Sequence, residues 1–384
     1  MRLLQLVTRP QRRGAEVFAF TLAGELRRRG HAVTTIYLYP YDGPAALPLL
    51  EGDVVLPGNA SPAARRLPGP DPRRLARLQR AIRRCEPQLV QVNGGPAVAY
   101  GALAARLTRR RPWALLYRNI GEPDRWLRGA FKRALFRRLV GPALDGVVGV
   151  SATTLAAVGR LYGEAIPRRQ IVRAVDPAAL RPARPAAEVR AALGVAAGAP
   201  VALYVGSLTG EKRVDRLMRL AHTLASELPG FSLWLLGDGP LRAALAAQGA
   251  ALGLDGAVRF LGAREDVADF LAASDLLVLA SDSEGMPGVV LEAGLLGRPV
   301  VATAVGGVAE CVRDGDTGLL VTPGDEQALA GAVRSLLGDG ERRRRMGARA
   351  TAWVEERFTI GRVAGEYEAF YAELIERRQG GAAR

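Results

Sequence analysis

The chain has 384 residues, 49% of them apolar, and a formal net charge of +15, a size that suits two globular domains with a core each. Its basic residues are 51 Arg and two Lys, Lys132 and Lys212; residues 1–175 carry net +19 and residues 176–384 net −4, so the first half is expected to meet an anionic surface or substrate. No apolar run approaches the ~20 residues that span a bilayer, Cys85 and Cys311 offer no disulfide or metal framework, and zinc-finger spacing, RNP-like aromatics and helix-turn-helix patterns are missing, which excludes nucleic acid.

Leu3–Val7 reads as a buried first strand, too short for a signal peptide. Glu16–Arg29 is an amphipathic helix ended by Gly30, and His31–Leu38 is the next strand. Leu89–Val92, Trp113–Tyr117 and Val147–Val150 follow as strands, separated by helix-like Ala97–Arg109 and Arg125–Leu139. The Pro-rich stretch Pro177 to Pro185 is the expected domain joint. Beyond it the pattern repeats with Val201–Val205, Leu233–Leu236, Val258–Leu261, Leu276–Ala280 and Val300–Ala302, and Ile360–Arg378 reads as a terminal helix. Apolar strands alternating with helices require parallel sheets covered on both faces. The expected fold is α/β, two doubly wound domains facing across a cleft, with boundaries 1–176, 177–358 and a terminal helix in 359–384. Ligands of such sheets sit at the carboxyl ends of strands. A reducing cytoplasm is the expected compartment.

The segment Ser283-Glu284-Gly285-Met286-Pro287-Gly288-Val289-Val290-Leu291-Glu292 follows a buried strand and runs into a short helix, Val289 to Leu296. Glu284 therefore lies in the loop and Glu292 inside the helix. Gly285 and Gly288 let the backbone approach a ligand, and Pro287 suits the first helical turn. The N–H groups of that turn form an anion site. One carboxylate can accept from sugar-type hydroxyls, the helix start can hold phosphate through Met286, Gly288 and Val289, and the second carboxylate can hold another diol. Lys212 stands where a chain that uses Arg 51 times keeps a Lys, a compact point charge suited to a diphosphate. Gly14 opens a helix after the first strand, a further anion site. The single Asp-x-Asp, Asp314-Gly315-Asp316, has no His, Cys or third Asp beside it, and no His/Cys/Asp cluster is present, so chemistry without a metal is expected.

The two glutamates resemble the Glu-x7-Glu motif of retaining GT-B glycosyltransferases of glycosyltransferase family 4. Other segments resemble the family in the expected order: Gly14-Ala15-Glu16, Val150-Ser151-Ala152-Thr153, Tyr204 to Asp215, Leu235-Leu236-Gly237-Asp238-Gly239, Val258 to Gly262 and Val305-Gly306-Gly307. The resemblance covers roughly residues 1 to 375. It implies a sugar transferred with retention from a nucleoside diphosphate sugar of UDP or GDP type, with no further cofactor. It places Lys212 on the diphosphate, Glu284 on the transferred sugar and Glu292 on the ribose, and main-chain groups from Gly262 to Arg264 near the base. It also brings the Gly14 loop toward diphosphate and acceptor. The family's second cation is replaced by Ser207, so Arg213 or another arginine is expected to supply that charge. Its first-domain His is replaced in Leu115 to Pro123, which makes Arg118 and Asn119 candidates for the sugar-facing catalytic role; His31 and His222 read as structural. The acceptor is a sugar, a lipid-linked intermediate or a small-molecule aglycone. The alternative is a nucleotide-sugar-binding protein with weakened catalysis.

One further segment, Asp124 to Val140, interleaves Trp126, Leu127, Phe131, Leu135 and Leu139 with Arg125, Arg128, Lys132, Arg133, Arg137 and Arg138. Such a helix suits either domain packing or peripheral contact with an anionic membrane at its inner face.

Overall fold

A computed structural model describes residues 1–43, 46–58, 70–121, 123, 127 and 129–382. The chain falls into two compact units, Met1–Ala174 with Ile360–Arg384, and Val175–Thr359.

Among the described residues the first unit has seven strands: β1 (Arg2–Val7), β2 (Ala32–Tyr37), β3 (Val54–Val55), β4 (Leu89–Asn93), β5 (Ala114–Asn119), β6 (Gly146–Gly149) and β7 (Arg168–Gln170). Their order is β3-β2-β1-β4-β5-β6-β7, every neighbour parallel. The order reverses between β1 and β4, so their following helices, Gly14–Arg28 and Gly95–Leu107, depart to opposite faces and leave a crevice at the strand ends. β4 is buried at every residue, as a strand covered on both faces must be.

Strand alternation then sorts the core. Leu4, Leu6, Val90, Val92, Leu115 and Tyr117 pack on one face. Leu3, Leu89, Leu116 and Val148 pack on the other, beneath Phe18 and the terminal helix Ile360–Ala382 with Tyr367, Phe370, Tyr371 and Leu374. Polar groups on this sheet satisfy one another in a closed ring. Tyr371 OH donates to Gln91 Oε1 (2.6 Å), Gln91 Nε2 to Asn93 Oδ1 (3.0 Å), Asn93 Nδ2 to Gln5 Oε1 (2.7 Å) and Gln5 Nε2 to Tyr371 (3.5 Å). Each is buried, so the ring removes desolvation costs and ties the terminal helix to the sheet.

The second unit repeats the plan with β8 (Val201–Val205), β9 (Ser232–Leu236), β10 (Val258–Gly262), β11 (Leu276–Leu279), β12 (Val300–Thr303) and β13 (Gly318–Val321). Their order is β10-β9-β8-β11-β12-β13, again parallel, with the reversal between β8 and β11.

Sequence patterning did not reveal β3 and β7, which are only two and three residues long, nor β13, nor the helix Pro72–Cys85. That helix buries Leu75, Leu78 and Ile82 on one side, but six arginines over its turns mask the stripe. The helix expected over 125–139 is shorter. It spans Ala130–Leu139 and starts after Gly129, whose φ is +96°. Leu127 lies before it and is buried in the core; Asp124, Arg125, Trp126 and Arg128 lie outside the described residues. Among the described residues no helix is long and apolar enough to cross a membrane.

Candidate active site

Loops after β8, β9, β11 and β12 are drawn together because glycines let their backbones touch. Gly237 has φ +138°, and a Cβ there would fall 1.8 Å from Gly206 O. Gly306 has φ +53°, and a Cβ there would fall 1.7 Å from Glu284 O. Backbone hydrogen bonds continue the contact: Leu208 N to Asp238 O (3.0 Å), Asp282 N to Glu211 O (2.8 Å) and Gly307 N to Gly285 O (2.8 Å). The loops after β8 and β11 meet at the topological switch point, where ligands of doubly wound sheets sit.

Lys212 and Glu284 come together there. Lys212 Nζ donates to both Glu284 oxygens, at 2.7 and 2.8 Å. The Glu284 side chain is 8% exposed and that of Lys212 22%. Ser281 Oγ donates to Glu284 Oε1 at 2.8 Å, and Thr303 Oγ1 to Ser281 O at 2.6 Å. Neither Ser281 nor Thr303 was flagged from sequence, because a Ser two residues past a strand carries no pattern of its own. The helix after Glu284 spans Gly288–Leu295 with Pro287 at its cap; Met286 and Gly288 are buried, and Val289 and Glu292 are half-buried.

The other expected cations are engaged. Arg213, with φ +48°, places its guanidinium on Asp215 (2.9 and 3.0 Å) and Asp282 (3.2 Å), and the hydrogen bond to Asp215 raises its pKa further. Arg213 and Arg219 in turn hold Asp215 well below the usual carboxylate range, to about 2. Arg264 forks onto Asp266 at 2.7 Å through two nitrogens. Ser207 is exposed, and its hydroxyl lies 3.4 Å from Thr209 Oγ1. Gly262 O accepts from Gly237 N (2.7 Å), which links the ends of β9 and β10. Neither histidine joins the group: His31 sits 2.6 Å from Glu368 Oε1, and His222 3.0 Å from Leu252 O. Among the described residues no group of three or more His, Cys, Asp or Glu could hold a metal.

In the first unit, adjacent strand residues point to opposite faces, and this separates Arg118 from Asn119. Arg118 is 1% exposed. Its Cζ lies 3.9 Å from the Phe18 ring centroid, and its Nε donates to Tyr367 OH at 3.1 Å. Arg118 therefore packs in the core below the terminal helix. Asn119 faces the other way, accepting from Tyr117 OH (3.0 Å) and donating to Thr154 O (2.9 Å), and it lines a cavity. Gly14 opens the helix after β1, and a Cβ there would fall 2.6 Å from Arg173 Nη1. Glu16 in the same turn is buried, which raises its pKa.

Residues 186–353 match the family described as glycosyl transferases group 1, and residues 12–178 match glycosyltransferase family 4. The chain belongs to glycosyltransferase family 4. Relatives of this family 4 chain include the N-acetyl-alpha-D-glucosaminyl L-malate synthase of Bacillus anthracis, 33% identical over 182 residues, 47% of this chain and 48% of that protein. Another is the D-inositol 3-phosphate glycosyltransferase of Nocardia farcinica, 36% identical over 242 residues, 60% and 53% of the two chains. The matches thus span about half the length of these curated relatives. The crystal structure of Anabaena HepE in complex with UDP-glucose matches with a TM-score of 0.80 at 23% identity, covering 97% of this chain and 99% of that one. This likeness shows the fold, a GT-B pair of Rossmann-like domains.

Proposed function

We propose that this chain moves a sugar from a nucleoside diphosphate sugar, of UDP or GDP type, to a hydroxyl acceptor with retention at the anomeric carbon. The observation that carries this reading is the Lys212–Glu284 pair at 2.7 and 2.8 Å, at the ends of the two switch-point strands. An ammonium has three N–H donors; two are taken by Glu284, and the third is directed to a phosphate oxygen. A carboxylate has roughly four acceptor positions. Lys212 and Ser281 occupy three of them, which leaves one for a hydroxyl of the transferred sugar. The departing diphosphate gathers negative charge. Lys212 and the helix start at Gly288 and Val289 stabilise it more strongly than the intact donor. Glu292, farther along that helix, takes the ribose diol. The first unit binds the acceptor.

The helix Ala130–Leu139 supports peripheral contact with an acidic membrane. None of its residues is buried. Phe131 is 79% exposed and Leu135 43%, beside Lys132, Arg133, Arg137 and Arg138. Such a helix couples apolar insertion to attraction of roughly 1 kcal/mol per basic residue.

The test is a panel of UDP- and GDP-sugars, with nucleoside diphosphate release followed with and without alcohol and glycoside acceptors, and product anomers assigned by NMR. Turnover with one donor and a retained anomer is expected. Nucleotide binding without turnover across the panel refutes transfer and leaves a nucleotide-sugar-binding protein, the reading that Ser207 favours in place of the family's second cation.

A further inference from the structure

The first unit holds a cavity of about 520 Å³ beside the ends of β4 and β5 and the helix Ala130–Leu139, a volume in the range of small-molecule sites. Tyr39, Tyr100, Tyr117, Ile120 and Phe136 form apolar walls, and Ala99 leaves the space open. Polar atoms on the walls already have partners. The Tyr117 hydroxyl donates to Asn119 Oδ1 (3.0 Å), and Asn119 Nδ2 to Thr154 O (2.9 Å). The Tyr39 and Tyr100 hydroxyls bond each other at 3.1 Å, and Tyr100 also accepts from Asp71 N at 3.0 Å. Among the described lining residues there is no charged side chain. Burial raises the pKa of the Tyr100 and Tyr117 phenols, which keeps them neutral at physiological pH. A phosphate or carboxylate placed inside would lose water and meet no charged side chain among the described lining residues, and Arg74, 4.0 Å from the Tyr39 ring centroid, is already held by the Leu38 and Gly58 carbonyl oxygens, so its burial is unfavourable. An apolar group would lose water favourably. The helix that supplies Phe136 to the wall also presents Phe131 and Leu135 to solvent.

We propose that this cavity takes an uncharged apolar portion of the acceptor, a lipid chain or an aromatic aglycone, with the reacting hydroxyl attached to it. The proposal rests on the transferase reading and names the acceptor class for it.

The experiment titrates the full chain with N-phenyl-1-naphthylamine, a neutral dye that fluoresces in apolar sites. UDP binding is measured on the same samples. Saturable dye binding is expected in the wild type. Ala99→Trp, which fills the cavity, and Phe136→Ser, which removes part of its wall, should each weaken it at least about ten-fold while UDP binding persists. Displacement by decyl glucoside below its micelle concentration identifies a lipid chain as the occupant. Displacement by 2-naphthyl glucoside alone identifies an aromatic ring. Absence of saturable binding, unchanged dye affinity in both variants, or displacement by L-malate or inositol 3-phosphate and by neither glucoside overturns the proposal. In each of those results, retained UDP binding leaves the transferase reading standing. Failure of the wild type to bind any nucleoside diphosphate removes the transferase reading itself, whatever the dye does.

Discussion

Replacing Lys212 tests the proposed donor site and its electrostatics together. Lys212→Met keeps most of the stem and deletes the ammonium. The Glu284 carboxylate, 8% exposed, is then left with the Ser281 hydroxyl at 2.8 Å as its hydrogen bond. Removing one partner from a fully buried pair costs about 3–5 kcal/mol. Lys212 is 22% exposed, so water replaces part of the lost interaction and we expect about 2 kcal/mol. Glu284→Gln in the same chain removes the stranded charge, so the double variant should be more stable than Lys212→Met alone by ~1–2 kcal/mol, a coupling typical of residues in contact. Catalysis should not recover with stability. Lys212→Met and Glu284→Ala should each lower kcat/KM at least ~100-fold, equivalent to about 2.7 kcal/mol of transition-state stabilisation, and the Lys212→Met/Glu284→Gln double should remain as slow as the slower of its component singles. The measurements are urea unfolding at constant protein concentration and initial rates over a donor series. Strictly additive stabilities, or near-wild-type turnover in folded Lys212→Met and Glu284→Ala, would refute the reasoning.

Four further outcomes are expected. Activity should survive EDTA, because the described residues offer no metal-ligand cluster; complete loss restored by Mg2+ or Mn2+ would contradict this. Gly306→Ala forces a methyl to within 1.7 Å of Glu284 O at φ +53°. It should destabilise the chain by about 2–4 kcal/mol and lower kcat/KM, whereas an unchanged unfolding midpoint would show that the loops need not touch. Asp215 titrates near 2 in the folded chain against 3.8 unperturbed. Its stabilisation is therefore complete above about pH 5 and disappears as pH falls through about 4 toward 2; Asp215→Asn should flatten that acid limb of stability, and an identical limb would rule the pair out as its source. Acidic vesicles should co-sediment the chain at low salt, and Lys132, Arg133 and Arg137 changed together to Ser should release it; equal binding to neutral vesicles would show that charge is not the cause.

The sheets and the loop position of Glu284 were legible because they depend on local patterns. Apolar runs such as Leu89–Val92 mark doubly covered strands, and a glutamate after such a run must lie in a loop at the carboxyl end. The pairing was not legible. Lys212 and Glu284 are 72 residues apart, and strand order, not spacing, brings them together. Arg118 and Asn119 looked like one site in sequence, but successive strand residues face opposite ways, and only packing reveals that Arg118 lies over Phe18. The aromatic cavity gathers Tyr39, Tyr100, Tyr117 and Phe136 across nearly a hundred residues, each of which reads alone as ordinary core.

The arginine-rich composition says little about the donor site, because most of the charge there is already matched. Arg213 is held by Asp215 and Asp282, and Arg264 by Asp266. Each such pair presents almost no net potential to a ligand, and residues 176–384 sum to −4. In the proposed reading, positive potential for a diphosphate at the switch point comes from the third N–H of Lys212 and the dipole at the start of the helix Gly288–Leu295. Both are fixed before a ligand arrives, Lys212 by Glu284 and the helix by its fold. A free ammonium on a four-carbon stem would have to be ordered at binding. In the proposed reading the glutamate assigned to the sugar also holds the cation assigned to the phosphate, so one ordering step serves both ends of the donor. That reading accommodates Ser207 in place of a second cation, since the remaining charge is pre-positioned.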